Sequence, residues 1–158
     1  MTTQNDIQPA DQGGARNPAW PNGAPAVGDR ASMSRLVDAA DIARFSEISG
    51  DFNPLHYDEA YASRTRLGGI VVQGGITTAI LNAVVAEKLP GPGTVFLETH
   101  WRFLAPTRPG DTITGEVQVT TVRQDKPITT LTTRVVRHDG TVLVDGSAVC
   151  WTMSPALP

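Results

Sequence analysis

Residues 75 to 89 read Gly-Ile-Thr-Thr-Ala-Ile-Leu-Asn-Ala-Val-Val-Ala-Glu-Lys-Leu, and this stretch limits the available folds more than any other. Helical spacing puts Ile76, Ala79, Ile80, Ala83 and Val84 on one stripe, and Leu81, Val85 and Leu89 carry apolar surface further round the circumference. A helix of this kind has to be enclosed, because too little of its surface is polar for it to lie on the outside of a protein. Pro90-Gly91-Pro92-Gly93 then breaks the helix and turns the chain.

The C-terminal part of the chain can enclose it. In residues 95–104, Val95, Leu97, Thr99, Trp101 and Phe103 alternate with Glu98, His100 and Arg102, which predicts a strand with the first set on one face. Pro109-Gly110 is a turn signal. Residues 111–122 alternate again around Ile113, Val117 and Val119. Strands at 128–137 and 141–153 flank His138-Asp139-Gly140, a hairpin signal. A buried helix succeeded by four antiparallel strands predicts an α+β fold, with the sheet curled around the helix. One curled sheet leaves edge strands open, and pairing two subunits would cover them.

The chain ahead of the helix divides in two. Residues 1–26 are rich in Gln, Asn, Gly, Ala and Pro without apolar periodicity, so they are expected to form a disordered tail in which Trp20 is the one large apolar residue. The domain is expected over residues 27–154. It opens with a strand at 30–37, succeeded by a helix that starts at Asp38 or Asp41, carries Ile42, Phe45 and Ile48 at helical spacing, and stops at Gly50. Residues 58 to about 64 read as one or two further helical turns.

Between these helices lies Gly50-Asp51-Phe52-Asn53-Pro54-Leu55-His56. Gly50 can adopt the left-handed conformation that ends a helix, and Pro54 keeps Asn53 out of a helical one. A carboxylate and an imidazole five residues apart on a short, stiff connector can address one water molecule. An isolated Asp and His at this spacing usually do no chemistry, Asp51 capping a turn and His56 packing like any other histidine.

The longer context resembles the signature of the MaoC-like dehydratases, the (R)-specific enoyl-CoA hydratases. Phe45, Ile48, Ser49, Gly50, Asp51, Asn53, Pro54, Leu55, His56 and Ala62 fill every position of that signature. The resemblance runs on through Gly74, Phe103-Leu104-Ala105-Pro106, Gly110-Asp111 and residues 125–134. It implies a hot-dog fold, a homodimer with the active site near its interface, and reversible hydration of an enoyl thioester without metal or redox cofactor. It also implies Asp51 and His56 as the catalytic side chains and the Gly74 amide as donor to the thioester oxygen, with Asn53, Gln73 and Gly75 beside the substrate. Two positions depart from the family, which usually has histidine before that glycine and a larger residue after it. Here they are Gln73 and Gly75.

The other readings of these residues are weaker. Asp51 and Asn53 suggest the start of a calcium loop, but His56 and Ala62 stand where that loop needs glycine and glutamate. The glycines of residues 68–75 lack the Gly-Lys-Ser/Thr ending of a phosphate loop. His56, His100 and His138 are too scattered for a zinc site. With 13 Lys and Arg against 16 Asp and Glu, the net charge of −3 offers nothing to nucleic acid or an anionic membrane surface. No run approaches 18 consecutive apolar residues, no secretion signal is visible, and the single Cys150 permits no internal disulfide, so a soluble protein in a reducing cytoplasm is expected. Arg64, Arg66, Arg102, Arg123 and Lys126 are candidate partners for coenzyme A phosphates. Rival activities are a hot-dog thioesterase and a non-catalytic acyl-CoA sensor. The sensor has no use for a water-activating pair, and the thioesterase would have to draw on Asn82 or Glu87 in the central helix.

Overall fold

The computed structural model describes residues 17–155. Strand β1 (Arg30–Leu36) leads to helix α1 (Ala39–Ser49), a 3-10 turn (Pro54–His56), the short helix α2 (Glu59–Ala62) and the long helix α3 (Gly74–Glu87). Strands β2 (Thr94–Phe103), β3 (Thr112–Val122), β4 (Ile128–Arg137) and β5 (Val142–Thr152) complete the fold. All five strands form one antiparallel sheet in the order β1-β3-β4-β5-β2. Helix α3 lies across the sheet, as a hot-dog fold requires.

Helix α3 meets the sheet through Ile76, Ile80, Leu81, Val84 and Val85, which pack with Ile113, Val117, Val119, Leu131, Val135, Leu143 and Val144. The close approach depends on Gly115 of β3, where an added Cβ would stand 2.8 Å from Ile80 Cγ2. The enclosure is less complete than the apolar circumference predicts. Ala79 and Asn82 are exposed and Ala83 is partly so, because α3 packs on one sheet and α1, leaving its small residues on the open side.

Strand β2 also differs from expectation. Alternation put Val95, Leu97, Trp101 and Phe103 on one face, yet Val95 and Leu97 are exposed, whereas Phe103 keeps Trp101's face and is exposed at the strand's end beside Gly74. The pairing with β5 shifts between Phe96 and Glu98, so Leu97 is an extra residue in a bulge and the side-chain parity reverses there. Phe96 thereby faces the core beside Trp101, their rings meeting edge to face at 5.8 Å.

Helix α1 starts where its sequence says it should. Asp38 accepts from the Asp41 amide while the Asp41 carboxylate accepts from the Asp38 amide, a reciprocal cap. Gly50 ends the helix in the left-handed conformation at φ 74°. The first 16 residues of the expected tail lie outside the described residues. Residues 17–26 are docked on the domain: Trp20 is 5% exposed, and its indole donates to the Arg123 carbonyl at 2.8 Å. Asn17 similarly donates to the Gln124 carbonyl.

Candidate active site

The site is assembled where the loop after α1 meets the N-terminus of α3. Each turn of that loop is fixed by a side chain. Asp51 Oδ1 accepts from the Asn53 amide at 3.1 Å, and Asn53 Oδ1 accepts from the Leu55 amide at 3.0 Å, capping the 3-10 turn that carries His56. Asn53 therefore spends its oxygen on the loop, and its Nδ2 has no partner among the described residues.

His56 is 9% exposed. Its Nδ1 lies 2.7 Å from the Val71 carbonyl oxygen. A carbonyl can only accept, so Nδ1 carries the hydrogen and a neutral ring presents the Nε2 lone pair. That Nε2 faces Asp51 Oδ2 at 3.5 Å, and the Asp51 side chain is 42% exposed. The separation is too long for a direct hydrogen bond. It suits a water about 2.8 Å from each atom, donating one hydrogen to the carboxylate and one to the imidazole.

Beside the pair stands the open end of α3. Gly74 is exposed at its first position, and neither the Gly74 nor the Gly75 amide meets an acceptor among the described residues. Two unpaired N–H groups at a helix N-terminus form an electropositive end suited to an oxygen that gains negative charge. The glycines are bracketed by aromatic rings. A Cβ at Gly74 would lie 3.0 Å from Phe103 Cε1, and one at Gly75 would lie 2.2 Å from Phe45 Cζ. Gly75 thus has no larger side chain because Phe45 fills that space.

Gln73 does not line the open side. It is 1% exposed and points behind the loop, where its Nε2 donates to Ser46 Oγ at 2.9 Å. The Ile42 and Asp51 carbonyls lie at 3.3 Å from the same nitrogen. Ser46, Tyr57 and the Val71 carbonyl belong to the site without having been singled out by sequence. Ser46 and Tyr57 lie inside the motif, but the carbonyl leaves no trace in residue identity.

Among the five basic candidates, Arg102 pairs with Asp145 and Arg123 with Asp125. Arg64, Arg66 and Lys126 have no acidic partner among the described residues. No group of three or more metal-ligating side chains occurs among them either. Cys150 is buried, and burial pushes its thiol up to about 12.

A helix laid across a curled antiparallel sheet, with free amides at its N-terminus and the Asp51 and His56 side chains beside them, defines a protein of the hot-dog class. The description "MaoC like domain" matches residues 24–141, and the chain belongs to that family. It is 41% identical over 123 residues to the (R)-specific enoyl-CoA hydratase of Aeromonas caviae, covering 78% of this chain and 92% of that one. It is 36% identical over 121 residues to the (R)-specific enoyl-CoA hydratase of Rhodospirillum rubrum, covering 77% and 83%. The solved (R)-hydratase from A. caviae superposes with a TM-score of 0.76 at 39% identity, over 81% of this chain and 97% of that one. An R-hydratase from Pseudomonas aeruginosa gives 0.74 at 32% identity, over 84% and 90%.

Proposed function

We propose that this chain is an (R)-specific enoyl-CoA hydratase, a hydro-lyase that adds water reversibly to a trans-2-enoyl thioester. The observation that carries the reading is the Asp51 Oδ2 and His56 Nε2 pair, 3.5 Å apart with His56 Nδ1 already committed to a carbonyl. A water donating to both keeps a lone pair for the β-carbon of the substrate. As that bond forms, the pair takes one proton from the water, and negative charge moves onto the thioester oxygen, where the Gly74 amide stabilises it. Returning the proton to the α-carbon completes the addition. The reverse sequence dehydrates a 3-hydroxyacyl thioester.

The protein works as a homodimer in this reading. Support comes from β2, the sheet edge beside the site, which carries the exposed Val95, Leu97 and Phe103 and is followed by the exposed Leu104. A second copy would cover that surface and pair the edge. The setting is cytoplasmic, in keeping with one buried thiol and with no described helix long and apolar enough to cross a membrane. Arg64 and Arg66, just after α2, are the cations proposed to meet the phosphates of the thioester carrier.

Mixing the protein with crotonyl-CoA tests the reaction. Loss of the conjugated thioester absorbance without release of free thiol is the expected result. Thiol release identifies a thioesterase, and neither change identifies a binding protein.

A further inference from the structure

The side chain immediately before the open α3 amides is the one that departs from the family's usual histidine, and its buried amide ties two separate parts of the site together. Gln73 is the N-cap residue of α3, but its side chain makes no cap bond. It reaches back instead into a network closed from all sides. Tyr57 Oη lies 2.5 Å from Ser46 Oγ, and Ser46 Oγ donates to the Asp51 carbonyl at 2.7 Å. Ser46 therefore gives its only hydrogen to Asp51 and accepts from both Tyr57 and Gln73.

The amide orientation is dictated by its neighbours. Turned around, Gln73 would aim its oxygen at the Ile42 and Asp51 carbonyl oxygens, which offer only lone pairs. Its Oε1 is buried with no partner among the described residues, so the side chain is held by its donor end alone. Gln73 Nε2 carries two hydrogens against three acceptors, one from the side chain and one from the backbone of α1, and one from Asp51 itself. One ring nitrogen of a histidine would supply a single hydrogen.

We propose that Gln73 is a positioning residue, which fixes the Asp51 segment of the loop against the N-terminus of α3 and so sets the reach between the water-activating pair and the Gly74 amide. The proposal rests on the hydratase reading for its kinetic test, and misplacement of a reacting group by about 1 Å can cost about 10²-fold in rate.

Gln73→Met keeps the volume and removes both hydrogens. Its kcat for crotonyl-CoA hydration is expected to fall about 10- to 10²-fold with KM within about twofold, and amide hydrogen exchange in residues 52–57 is expected to quicken. Gln73→His, restoring one donor, should recover part of both. A Gln73→Met protein that loses only thermal stability, with kcat per folded molecule and loop exchange unchanged, makes Gln73 a packing residue and overturns the proposal. Should that variant fail to fold, Gln73→Leu carries the same test, because it also removes both hydrogens and leaves the Asp51 and Ile42 carbonyls without their donor. Unchanged kcat and exchange in Gln73→Leu overturn the proposal equally. A wild-type protein that does not hydrate crotonyl-CoA would sink the hydratase reading alone, and the exchange measurement would still decide the role of Gln73.

Discussion

In the proposed reaction His56 acts on a water because its other nitrogen is occupied. The Val71 carbonyl fixes the tautomer, and Asp51 meets the free nitrogen from the solvent side. Asp51→Asn turns one of the two acceptors into a mixed group, and His56→Ala removes the other. Each is expected to lower kcat with crotonyl-CoA by about 10²- to 10⁴-fold, the range for a general acid or base. Circular dichroism should be unchanged, since the Asp51 side chain is 42% exposed on the loop and His56 sits in a short 3-10 turn outside the sheet and the long helices. Wild-type turnover in both variants would remove the pair from the mechanism. Gly74 needs a different test, because its proposed role belongs to the backbone. Proline is tolerated in the first turn of a helix and lacks the N–H. Gly74→Pro is expected to cost about 10²- to 10³-fold in kcat, the loss typical of one oxyanion donor. Gly74→Ala keeps the donor and is a usable control, because the Phe103 ring it would crowd is 58% exposed and free to swing aside. Equal activity in the two variants would rule out the Gly74 amide.

At the scale of elements, α1 matters because its C-terminus launches the loop. Burial works to raise the Asp41 carboxyl, but the Asp38 amide and the guanidinium groups of Arg35 and Arg44 outweigh it and hold the group below its ordinary range. A carboxyl depressed in the folded state contributes stability above the unfolded value of about 3.9, and that contribution is lost as pH falls through the folded value. Wild type should therefore lose more stability than Asp41→Asn between pH 6 and pH 3 in urea melts. Equal losses would show that the cap carries no charge effect. The ends of α1 are legible in the sequence because Asp38, Asp41 and Gly50 act locally. The extent of strand β2 is legible too, but which side chains face the core is not, since the register shift at Leu97 comes from pairing with β5, which lies some 50 residues on. The motif likewise marks Asp51 and His56 as neighbours, which lie 3.5 Å apart, whereas Gln73 differs from the family residue without revealing which way it points. Its partners are the Ser46 hydroxyl and the carbonyls of Ile42 and Asp51, and side-chain periodicity carries no information about carbonyls.

For the whole molecule, the segment at residues 17–26 matters more than its composition suggests. Compositional bias describes the average of a stretch, and a single buried indole with a hydrogen bond is enough to dock one end of it. Removing residues 2–16 is expected to leave the melting temperature unchanged. Trp20→Ala should cost about 3 kcal/mol, the low end for emptying a buried tryptophan site, because the site lies at the edge of the domain. Calorimetry distinguishes the two, and a Trp20→Ala protein as stable as wild type would show that the strap is not needed for folding. This segment also brings Pro18, Ala19 and Pro21 into one groove with residues 151–155. Sequence-distant segments thus meet in space, and the connectivity of the chain becomes an adjustable property. A short linker from Pro155 to Pro18, with new ends opened at the exposed Asp139-Gly140 turn, would rewire the order of the elements while leaving Asp51, His56 and Gly74 on an uninterrupted stretch. Such a permuted chain should hydrate crotonyl-CoA at the wild-type rate, making the active-site half of the molecule a unit that does not depend on where the polypeptide begins.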